Sequence, residues 1–408
     1  MANIRKRGNS YQIRVSCGCD TNGKQVFQTM TWKPTEGMTE KQIEKEVQRQ
    51  AWMFEEKCFK GQVTANVKFE DFAEQWFEEY ARLNLRNTSF ERMKQLTQRV
   101  YPAIGHLRLD KITGRHLQQF INDIALNGKS QKTGKPLSRK TVIHHLSFIS
   151  DVFSYAVKMD MISDNPARRV TVPKGEKKEK EIYTIEEVEK ILTLLESEPI
   201  KYRSFFTLAI YSGFRRGELL GLEWKDIDWE TGVISVRRTS NYTKAQGIYT
   251  DTTKTKKSQR TLKFPRYIID MLWELKQEQD RERERVGSKW EDHDRLFTKW
   301  NGMPMNNQTP YGWFKEFCEK NELRFCDIHS MRHFNASVLI NAGIDAAAVS
   351  SALGHSCIGT TTNIYCHVFQ QAQARVGDAI ASALDFSTKK QQQAANIPEQ
   401  TDGKQIAV

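Results

Sequence analysis

The sequence predicts a multidomain α+β protein, because the spacing of its apolar residues changes along the chain and polar segments interrupt it. Apolar residues alternate near the amino terminus, as in a strand, and then recur at helical spacing over most of the remaining chain. We predict a small three-stranded sheet with a helix in residues 1–64, an all-helical bundle in 66–168, a linker in 169–181, a mainly helical domain with a small antiparallel sheet in 182–386, and a disordered polar tail in 387–408.

The composition indicates a protein with a polyanionic partner. The 408 residues suffice for two or three domains, and Lys plus Arg outnumber Asp plus Glu by 62 to 50, a net charge of +12. A membrane surface or plain solubility are the alternative explanations of such a charge. The basic, polar start predicts no secretory signal, no apolar run reaches the ~20 residues of a membrane span, and scattered cysteines favour reduced thiols. We therefore expect a cytoplasmic protein.

The first predicted domain combines a sheet with one helix. Apolar and polar residues alternate over 11–16, residues 21–23 predict a turn, and 24–32 continue as a strand or a pair of strands. Residues 39–57 have a helical period with one apolar face. A simple capping hairpin is one interpretation. A sheet that binds DNA is the better one, because four cations lie on or beside the first strands: Arg5, Lys6, Arg7 and Arg14.

Residues 66–168 predict a helical bundle. Four apolar stripes at helical spacing indicate four helices whose apolar faces form one core, and Thr88 with Glu91 predicts a capping box at the start of the second.

The pair His144-His145 in the fourth of these helices suggests a metal site at first sight. Neighbouring side chains on a helix point about 100° apart, however, so both rings can hardly bind one ion. Because Arg139 and Lys140 are close in sequence, we expect a solvated or phosphate-facing helix, with both cations contacting DNA.

An arginine follows the first helix break of the predicted domain at 182–386. Residues 202–211 predict an apolar helix that ends at Ser212-Gly213, so that Arg215 projects towards a cleft. Glu218 lies about one helical turn further on and could orient Arg215 or a neighbouring imidazole. Taken alone, the motif is equally typical of a surface salt bridge.

Residues 233–266 predict a β-hairpin or a three-stranded sheet with a basic tip, since they contain nine Lys or Arg against one acid, Asp251. A ribbon that binds the DNA backbone without specificity is the simpler interpretation, and Lys256, Lys257 and Arg260 fit it. A lysine on such a hairpin, Lys254, can also reach a scissile phosphate and give up its proton there.

The helix predicted after Asp327 carries His329 and Arg332 on one face. His329 and His333 have the spacing of a zinc-binding helix, but Ser330 occupies the position of the glutamate base, which argues against a metalloprotease.

Two further groups follow this helix. Gly354 is expected to end the next helix and to turn His355 outwards, and Tyr365 lies ten residues later. A lone tyrosine there is usually a packing residue. A phenol that follows three cations and two imidazoles instead suits the breaking and remaking of a phosphodiester without a metal.

These residues resemble the motifs of the tyrosine recombinase (phage integrase) family, and the resemblance spans most of the chain. The chain departs slightly from the family pattern at Arg216, where an aliphatic residue is commoner. Four motifs in the family's order and spacing carry the resemblance: the first arginine box at 212–220, the hairpin lysine motif at 254–260, the His-x-x-Arg-His box at 329–333, and the nucleophile box at 353–365.

The resemblance implies an enzyme that needs neither cofactor nor metal, because one phosphoester replaces another. It implies that Tyr365 attacks the scissile phosphate and forms a 3′-phosphotyrosyl link. The other groups take these roles by resemblance: Arg215 and Arg332 hold the nonbridging oxygens, Lys254 protonates the leaving 5′-oxygen, His329 assists proton transfer from Tyr365, and His355 donates a hydrogen bond to the phosphoryl group.

The amino-terminal sheet is similar to the arm-site domain of integrases of conjugative transposons and temperate phages, and the bundle resembles the family's core-binding domain. The resemblance implies double-stranded DNA with core and arm sites as the partner, a homotetramer on that DNA, and integration and excision of a mobile element. An excisionase and a host DNA-bending protein are candidate accessory partners, in the bacterial cytoplasm near the nucleoid. An apolar stripe at 376, 380 and 384 predicts a helix that docks on a neighbouring protomer.

Two alternatives remain open from the sequence. A type IB topoisomerase or a resolvase would use the same phosphate chemistry with another outcome, and an architectural DNA-binding protein would retain the fold without catalysis.

Overall fold

The computed structural model describes residues 2–19, 24–59, 67–175, 181–252, 259–355 and 357–365. The chain divides into two compact units, Met1–Lys178 and Glu179–Val408. The predicted class, helix-rich with small antiparallel sheets, is confirmed. All of the predicted domain boundaries stay predictions. Several predicted features lie outside the described residues: the turn at 21–23, the lysines Lys254, Lys256 and Lys257, the helix predicted after Tyr365, and the tail at 387–408.

The amino-terminal region is a three-stranded antiparallel sheet with one helix packed on it. Ile13 and Val15 are buried and pack with Ala51 and Phe54 of the helix, because alternate residues of a strand point to the same face. The elements are β1 (Asn3–Arg7), β2 (Ser10–Cys19), β3 (Gln25–Trp32) and α1 (Glu40–Phe59).

Residues 67–175 form the predicted helical bundle around an aromatic core. Each of the four apolar stripes faces that core, where Phe69, Trp76, Phe148 and Phe153 are almost fully buried. The helices are α2 (Phe69–Trp76), α3 (Arg82–Asn84), α4 (Asn87–Val100), α5 (Gly114–Leu126) and α6 (Arg139–Lys158), with π-helical turns at Phe77–Ala81 and Tyr101–Gly105 and 3₁₀ turns at Leu109–Lys111 and Pro166–Arg169.

The capping box predicted from Thr88 and Glu91 is wrong. The carbonyl of Arg86 accepts the backbone N–H groups of Ser89 and Phe90 at 2.8 and 2.9 Å, so α4 begins before Thr88. Arg86 occupies the N-cap position without a side-chain cap, and Thr88 lies within the first turn.

The two adjacent histidines of α6 lie in different environments, as their 100° separation requires. His144 is exposed, whereas His145 is buried, with its Nδ1 2.8 Å from the carbonyl oxygen of Thr141 and its ring against Phe120. Burial lowers the pKa of His145. The prediction of a solvated or phosphate-facing position is therefore wrong for His145, which packs in the bundle core as a neutral ring.

The second unit combines helices with two small antiparallel sheets, ordered β4-β5-β8 and β6-β7. The residues predicted to lead into and out of the basic segment pair with each other, from Val233 opposite Lys263 to Val236 opposite Arg260. The elements are α7 (Ile185–Leu195), α8 (Ile200–Ser212), α9 (Arg216–Leu219), β4 (Ile227–Asp228), β5 (Val233–Val236), β6 (Arg238–Thr243), β7 (Gly247–Thr252), β8 (Arg260–Lys263), α10 (Arg266–Val286), α11 (Thr309–Lys320), α12 (Ile328–Asn341), α13 (Ala346–Leu353) and α14 (Ile358–Ile364).

Helix α8 lies in the centre of this unit and ends where the site begins. It is buried over most of its length, and Phe205 and Phe206 pack on rings from other elements, including Phe297 and Phe314. The helix stops at Gly213, which takes a left-handed φ of 59°. A Cβ there would approach a side-chain carbon of Leu353 to 2.8 Å and the amide oxygen of Asn335 to 2.9 Å, so only glycine fits.

In the part of the chain that the structure describes, no helix has the length and the apolar character to cross a membrane.

Candidate active site

Arg215 lies at the break between α8 and α9, as the sequence predicts. It is the residue that precedes the first turn of α9, and its backbone N–H donates to Glu218 Oε2 at 2.9 Å. Its guanidinium donates to Glu218 Oε1 at 2.7 Å and to the carbonyl oxygen of Gly354 at 3.0 Å. These contacts fix one side of the Arg215 side chain. Because that side chain is 38% exposed, its other side is open to a ligand.

Glu218 orients two arginines. Its second oxygen accepts from Arg260 Nη2 at 2.9 Å, and the side chains of Glu218 and Arg260 are only 4% and 6% exposed. Burial disfavours the charge of Glu218, but Arg260 and Arg215 outweigh that effect and hold the pKa of the carboxyl below its usual range. The interaction with Arg215 is the one predicted from the sequence, and the second arginine is an addition from the structure.

The structure places Arg260 inside the protein, whereas the sequence suggested a residue on a DNA-binding ribbon. Its Nε donates to the carbonyl oxygen of Ala352 at 2.6 Å, and its guanidinium lies 4.8 Å from the ring centre of Phe214. Arg260 thus ties β8 to the end of α13 and to the start of α9. The periodicity of a short strand could not show which of its cations faces inwards.

Arg332 is the most deeply buried arginine of the predicted set, with 2% exposure. Asp327 caps its helix as predicted, accepting from the backbone N–H of Ser330 at 3.0 Å. The guanidinium donates to the carbonyl oxygens of Gly213 at 2.7 Å and Leu353 at 2.6 Å. Burial, with the nearby Arg215 as the next cause, lowers the pKa of Arg332 to about 9.

His355 follows the left-handed Gly354, which ends α13 as predicted. The imidazole is half-buried, and its Nδ1 lies 2.7 Å from the hydroxyl of Thr361. Burial, followed by the charges of Arg332 and Arg215, lowers the pKa of His355 to about 4. The ring is therefore neutral at pH 7, a state in which one ring nitrogen donates a hydrogen bond.

Tyr365 directly follows α14 and is 1% exposed. It packs against buried residues of α12 and α13, including Ala336, Val349 and Leu353. Its hydroxyl lies 2.7 Å from Nδ1 of His333, which is itself 4% exposed. Burial raises the pKa of Tyr365 to about 12, against the opposing charge of Arg332, so the phenol is protonated at pH 7.

His333 is a site residue that sequence reasoning missed, since its spacing from His329 was considered only for zinc. Its ring meets that of His329 edge to face, with 4.8 Å between centroids, while His329 itself is exposed. The available signal was a polar residue directly after Arg332, on the buried side of the helix. Among the described residues, no group of three or more His, Cys, Asp or Glu side chains is placed to hold a metal ion.

Arg216, which departs slightly from the family pattern, lines a cavity of about 280 Å³ together with Tyr311, Asp327, Ile328 and His329. Burial lowers the pKa of Arg216, and the charge of Asp327 opposes that shift. Arg216 is therefore a further positive group in the cavity that His329 lines.

The structure brings five of the six predicted catalytic residues into one region, while Lys254 lies outside the described residues. Arg215 and Arg332 both donate to the turn between Leu353 and His355, and both charges act on His355. The charge of His329 acts on His355 and that of Arg332 on Tyr365. The members of this region are Arg215, His329, Arg332, His355 and Tyr365.

The predicted amino-terminal cations divide between the two faces of the sheet. Residues paired across antiparallel strands point to the same side, and Arg5 pairs with Gln12, Arg7 with Ser10, and Asn3 with Arg14. Arg5, Arg7 and Arg14 therefore share the face opposite Ile13 and the helix. Lys6 points to the other face, 5.9 Å from the ring centre of Tyr11.

The two cations predicted to contact DNA in the bundle, Arg139 and Lys140, are both exposed at the start of α6. Arg139 also donates to the carbonyl oxygen of Pro173 at 3.0 Å.

Two family models match the chain. The model of the phage integrase family covers residues 181–372, and that of the phage integrase N-terminal SAM-like domain covers residues 68–125. Together they span the second unit's described residues and much of the helical bundle.

Known proteins with similar sequences are recombinases. A XerC-like tyrosine recombinase of Caldanaerobacter subterraneus is 28% identical over 408 residues, 93% of this chain and 97% of its own length. The ICEBs1 integrase of Bacillus subtilis is 27% identical over 276 residues, 68% of this chain and 72% of its own.

Solved structures show the same fold. The Tn1549 transposon integrase in complex with a circular intermediate DNA superposes with a TM-score of 0.62, at 21% identity, over 77% of this chain and 99% of that one. A lambda integrase dimer bound to a COC′ core site gives a TM-score of 0.52, at 16% identity, over 89% and 94% of the two chains.

The family models and the recombinase relatives identify the chain as a tyrosine-type site-specific recombinase, a DNA strand transferase. The chain belongs to the phage integrase family. The resemblance inferred from its four motifs is confirmed.

Proposed function

We propose that this protein is the integrase of a mobile element, cutting and rejoining double-stranded DNA through a 3′-phosphotyrosine at Tyr365. The observation that carries the proposal is the convergence of Arg215 and Arg332 on one turn, at 354 and 353, beside a tyrosine that the charge of Arg332 reaches. Phosphoryl transfer needs positive donors placed before the negative charge develops on the nonbridging oxygens. These arginines are held in place by the protein's own carboxylate and carbonyl oxygens.

A phosphate relieves an electrostatic cost in this arrangement. After burial, the charge of Arg215 is the largest cause that lowers the pKa of Arg332, and the charges of both arginines lower the pKa of His355, so the three groups oppose one another's positive charge. A phosphodiester between the two guanidiniums supplies the missing negative charge. A neutral His355 can donate to the same phosphoryl group without adding to the repulsion.

Lys254 is the proposed acid for the leaving 5′-oxygen. In sequence it stands between β7, which ends at Thr252, and β8, which begins at Arg260. Arg260 anchors the start of β8 to Glu218, the residue that also holds Arg215. One carboxylate thus connects the strand that follows the lysine with an arginine of the phosphate site.

The DNA partner engages more than the catalytic unit in this proposal. Arg5, Arg7 and Arg14 form a basic face on the amino-terminal sheet that suits arm-type sites, and Arg139 and Lys140 suit core-site DNA. The structures of the Tn1549 and lambda integrases are DNA complexes, the latter a dimer on its core site, which supports a DNA partner here. We further propose a homotetramer on paired sites in the bacterial cytoplasm, with accessory excision and bending factors.

The test is a recombination assay with the purified full chain and two DNA fragments carrying the element's attachment junctions. Recombinant joints should form, Tyr365→Phe should abolish them, and the variant should still shift both fragments in a gel. Relaxation of supercoils without joints contradicts the integrase in favour of a topoisomerase. DNA binding with neither joints nor relaxation, at any protein concentration, contradicts it in favour of an architectural protein.

A further inference from the structure

The hydroxyl of the proposed nucleophile has a partner that the family motifs do not assign. Tyr365 Oη lies 2.7 Å from His333 Nδ1, and the two rings meet edge to face at 61° with 5.6 Å between their centroids. Among the described residues, His333 is the sole hydrogen-bond partner of that hydroxyl. Both side chains are buried, at 4% and 1% exposure, so water does not compete for the bond.

The direction of the bond follows from the chemistry of its two ends. A phenol has one hydrogen to donate, and a buried donor without an acceptor is rare in folded proteins. If Nδ1 of His333 carried the ring hydrogen, the Tyr365 hydrogen would have no acceptor among the described residues. The neutral His333 ring therefore carries its hydrogen on Nε2, and Nδ1 accepts from the phenol.

This geometry is what a general base requires. A base must lie within about 2.6–3.2 Å of the atom whose proton it removes. His333 meets that condition at the reacting oxygen itself, whereas His329 meets the ring of His333, 4.8 Å away between centroids. The family motif gives the proton transfer to His329, and in this chain His329 is one ring further from the nucleophile.

We propose that His333 is a catalytic residue, the group that takes the proton of Tyr365 as the phenol attacks DNA. The proposal rests on the proposed function of Tyr365. As the bond from Oη to phosphorus forms, the bond from phosphorus to the 5′-oxygen breaks. The phenol proton passes to Nδ1 of His333, and the leaving oxygen takes a proton from the acid. His329 stands beside the resulting imidazolium on its exposed side.

The test measures single-turnover formation of the covalent complex on a nicked suicide DNA. His333→Asn places an amide near the position of Nδ1 but cannot accept a proton at pH 7, and we expect it to slow cleavage by ~10²–10⁴-fold. His293→Gln removes an exposed histidine of the same unit and should leave the rate unchanged. Gel-shift affinity and thermal unfolding report whether each variant is folded.

A second measurement separates proton transfer from a structural role. A fluorinated tyrosine at position 365 has a phenol with a lower pKa. In His333→Asn it should raise the cleavage rate about tenfold for each unit by which the phenol pKa falls. In the wild-type background the same replacement should change the rate less than about threefold, because a base already assists. The measurement in the wild-type background needs no variant at position 333. It therefore shows whether a base assists Tyr365 even if His333→Asn does not fold.

Three results in His333→Asn overturn the inference. The first is a wild-type cleavage rate, and the second is a slow rate that fluorination does not restore. The third is a faster rate, which indicates that the histidine holds the tyrosine in an inactive position. The inference is also overturned if fluorination of Tyr365, with His333 intact, raises the cleavage rate in proportion to the fraction of ionised phenol. Tyr365→Phe is the separate check on the proposed function: a covalent complex in that variant contradicts the nucleophile itself, whichever residue is the base.

Discussion

At the scale of single residues, Glu218 has more partners than its place in the sequence indicates. It lies three residues after Arg215, and that spacing predicts their ion pair. Its second partner, Arg260, comes from a strand 42 residues away, and no local pattern indicates such a contact. The same holds for His333 and Tyr365, which are 32 residues apart in the chain. Residue types and local spacing identified Arg215, Glu218 and Tyr365, but the contacts of Arg260 and His333 with them depend on the fold.

Replacing Glu218 by Gln keeps the shape of the side chain and removes the charge between the two arginines. We expect a loss of about 1–3 kcal/mol of unfolding free energy at pH 7, since the buried guanidinium of Arg260 and the partly exposed guanidinium of Arg215 both lose their anion. Cleavage should fall as well, because Arg215 loses its orientation. Chemical denaturation and single-turnover cleavage measure the two effects, and a variant as stable and as active as the wild type contradicts this role.

The same variant has a defined pH dependence. The pKa of Glu218 in the folded chain lies below its usual value, so the folded state binds fewer protons there than the unfolded state. Its contribution is therefore present above the unfolded pKa of about 4.3 and is lost as the pH falls through the folded pKa. The stability difference between wild type and Glu218→Gln should shrink below that pH, and a difference that grows on acidification excludes the explanation.

At the scale of elements, the helix ends that surround the site were the most predictable features. Gly213 and Gly354 both take left-handed backbone angles at the positions where the sequence places breaks, because glycine tolerates them best. Asp327 caps α12 as expected. The start of α4 was predicted wrongly, since its first turn needs no side-chain cap, and a capping motif inside a turn resembles one at its start.

Gly213→Ala tests whether the helix end is also a packing point. Gly247→Ala is the matched control, because Gly247 has a similar φ of 69° but nothing within 4 Å of an added Cβ, whereas Gly213 faces Leu353 and Asn335. Both variants should lose about 1–2 kcal/mol from the backbone angle, and Gly213→Ala should lose more because Leu353 must move. Equal losses in thermal or denaturant unfolding contradict the packing role.

Arg260 connects three elements, so its removal should affect the site more than the DNA backbone contacts. We expect Arg260→Ala to lose covalent-complex formation and stability, since it removes the side-chain donor to the carbonyl oxygen of Ala352 and leaves Glu218 with Arg215 as its one guanidinium partner among the described residues. Lys263→Ala removes an equal charge from the exposed end of the same strand. Gel-shift affinities should be alike in the two variants, and an affinity loss in Arg260→Ala alone, with cleavage intact, supports a DNA contact instead.

At the scale of the whole molecule, the sequence predicted a helix-rich protein with small sheets and a basic charge, because hydrophobic period and composition are global properties. It could not assign each cation to a face or to the interior. Lys6 and Arg260 entered the predicted DNA surface by charge alone. Strand pairing places Lys6 on the face of the sheet that carries Ile13, and the ion pair with Glu218 places Arg260 in the protein interior. The cores of the two units are built from the apolar stripes that the sequence shows.

The amino-terminal sheet offers a paired test of its DNA face. Arg5→Gln and Lys6→Gln each remove one charge from adjacent residues that point to opposite sides. On DNA carrying an arm-type site, Arg5→Gln should reduce the slope of log affinity against log salt by about 0.9, the value of one phosphate contact. Lys6→Gln should leave that slope unchanged, and identical slopes in the two variants argue against a phosphate-binding outer face.

The most direct test of the central claim is the chemical identity of the covalent complex. The full chain is incubated with a nicked attachment-site DNA, trimmed with nuclease and digested with trypsin, and the peptide carrying the nucleotide is sequenced by mass spectrometry. We expect one modified residue, Tyr365, joined to a 3′-phosphate, and no nucleotide-bearing peptide from Tyr365→Phe. A nucleotide on any other residue, or one joined through a 5′-phosphate, contradicts the claim.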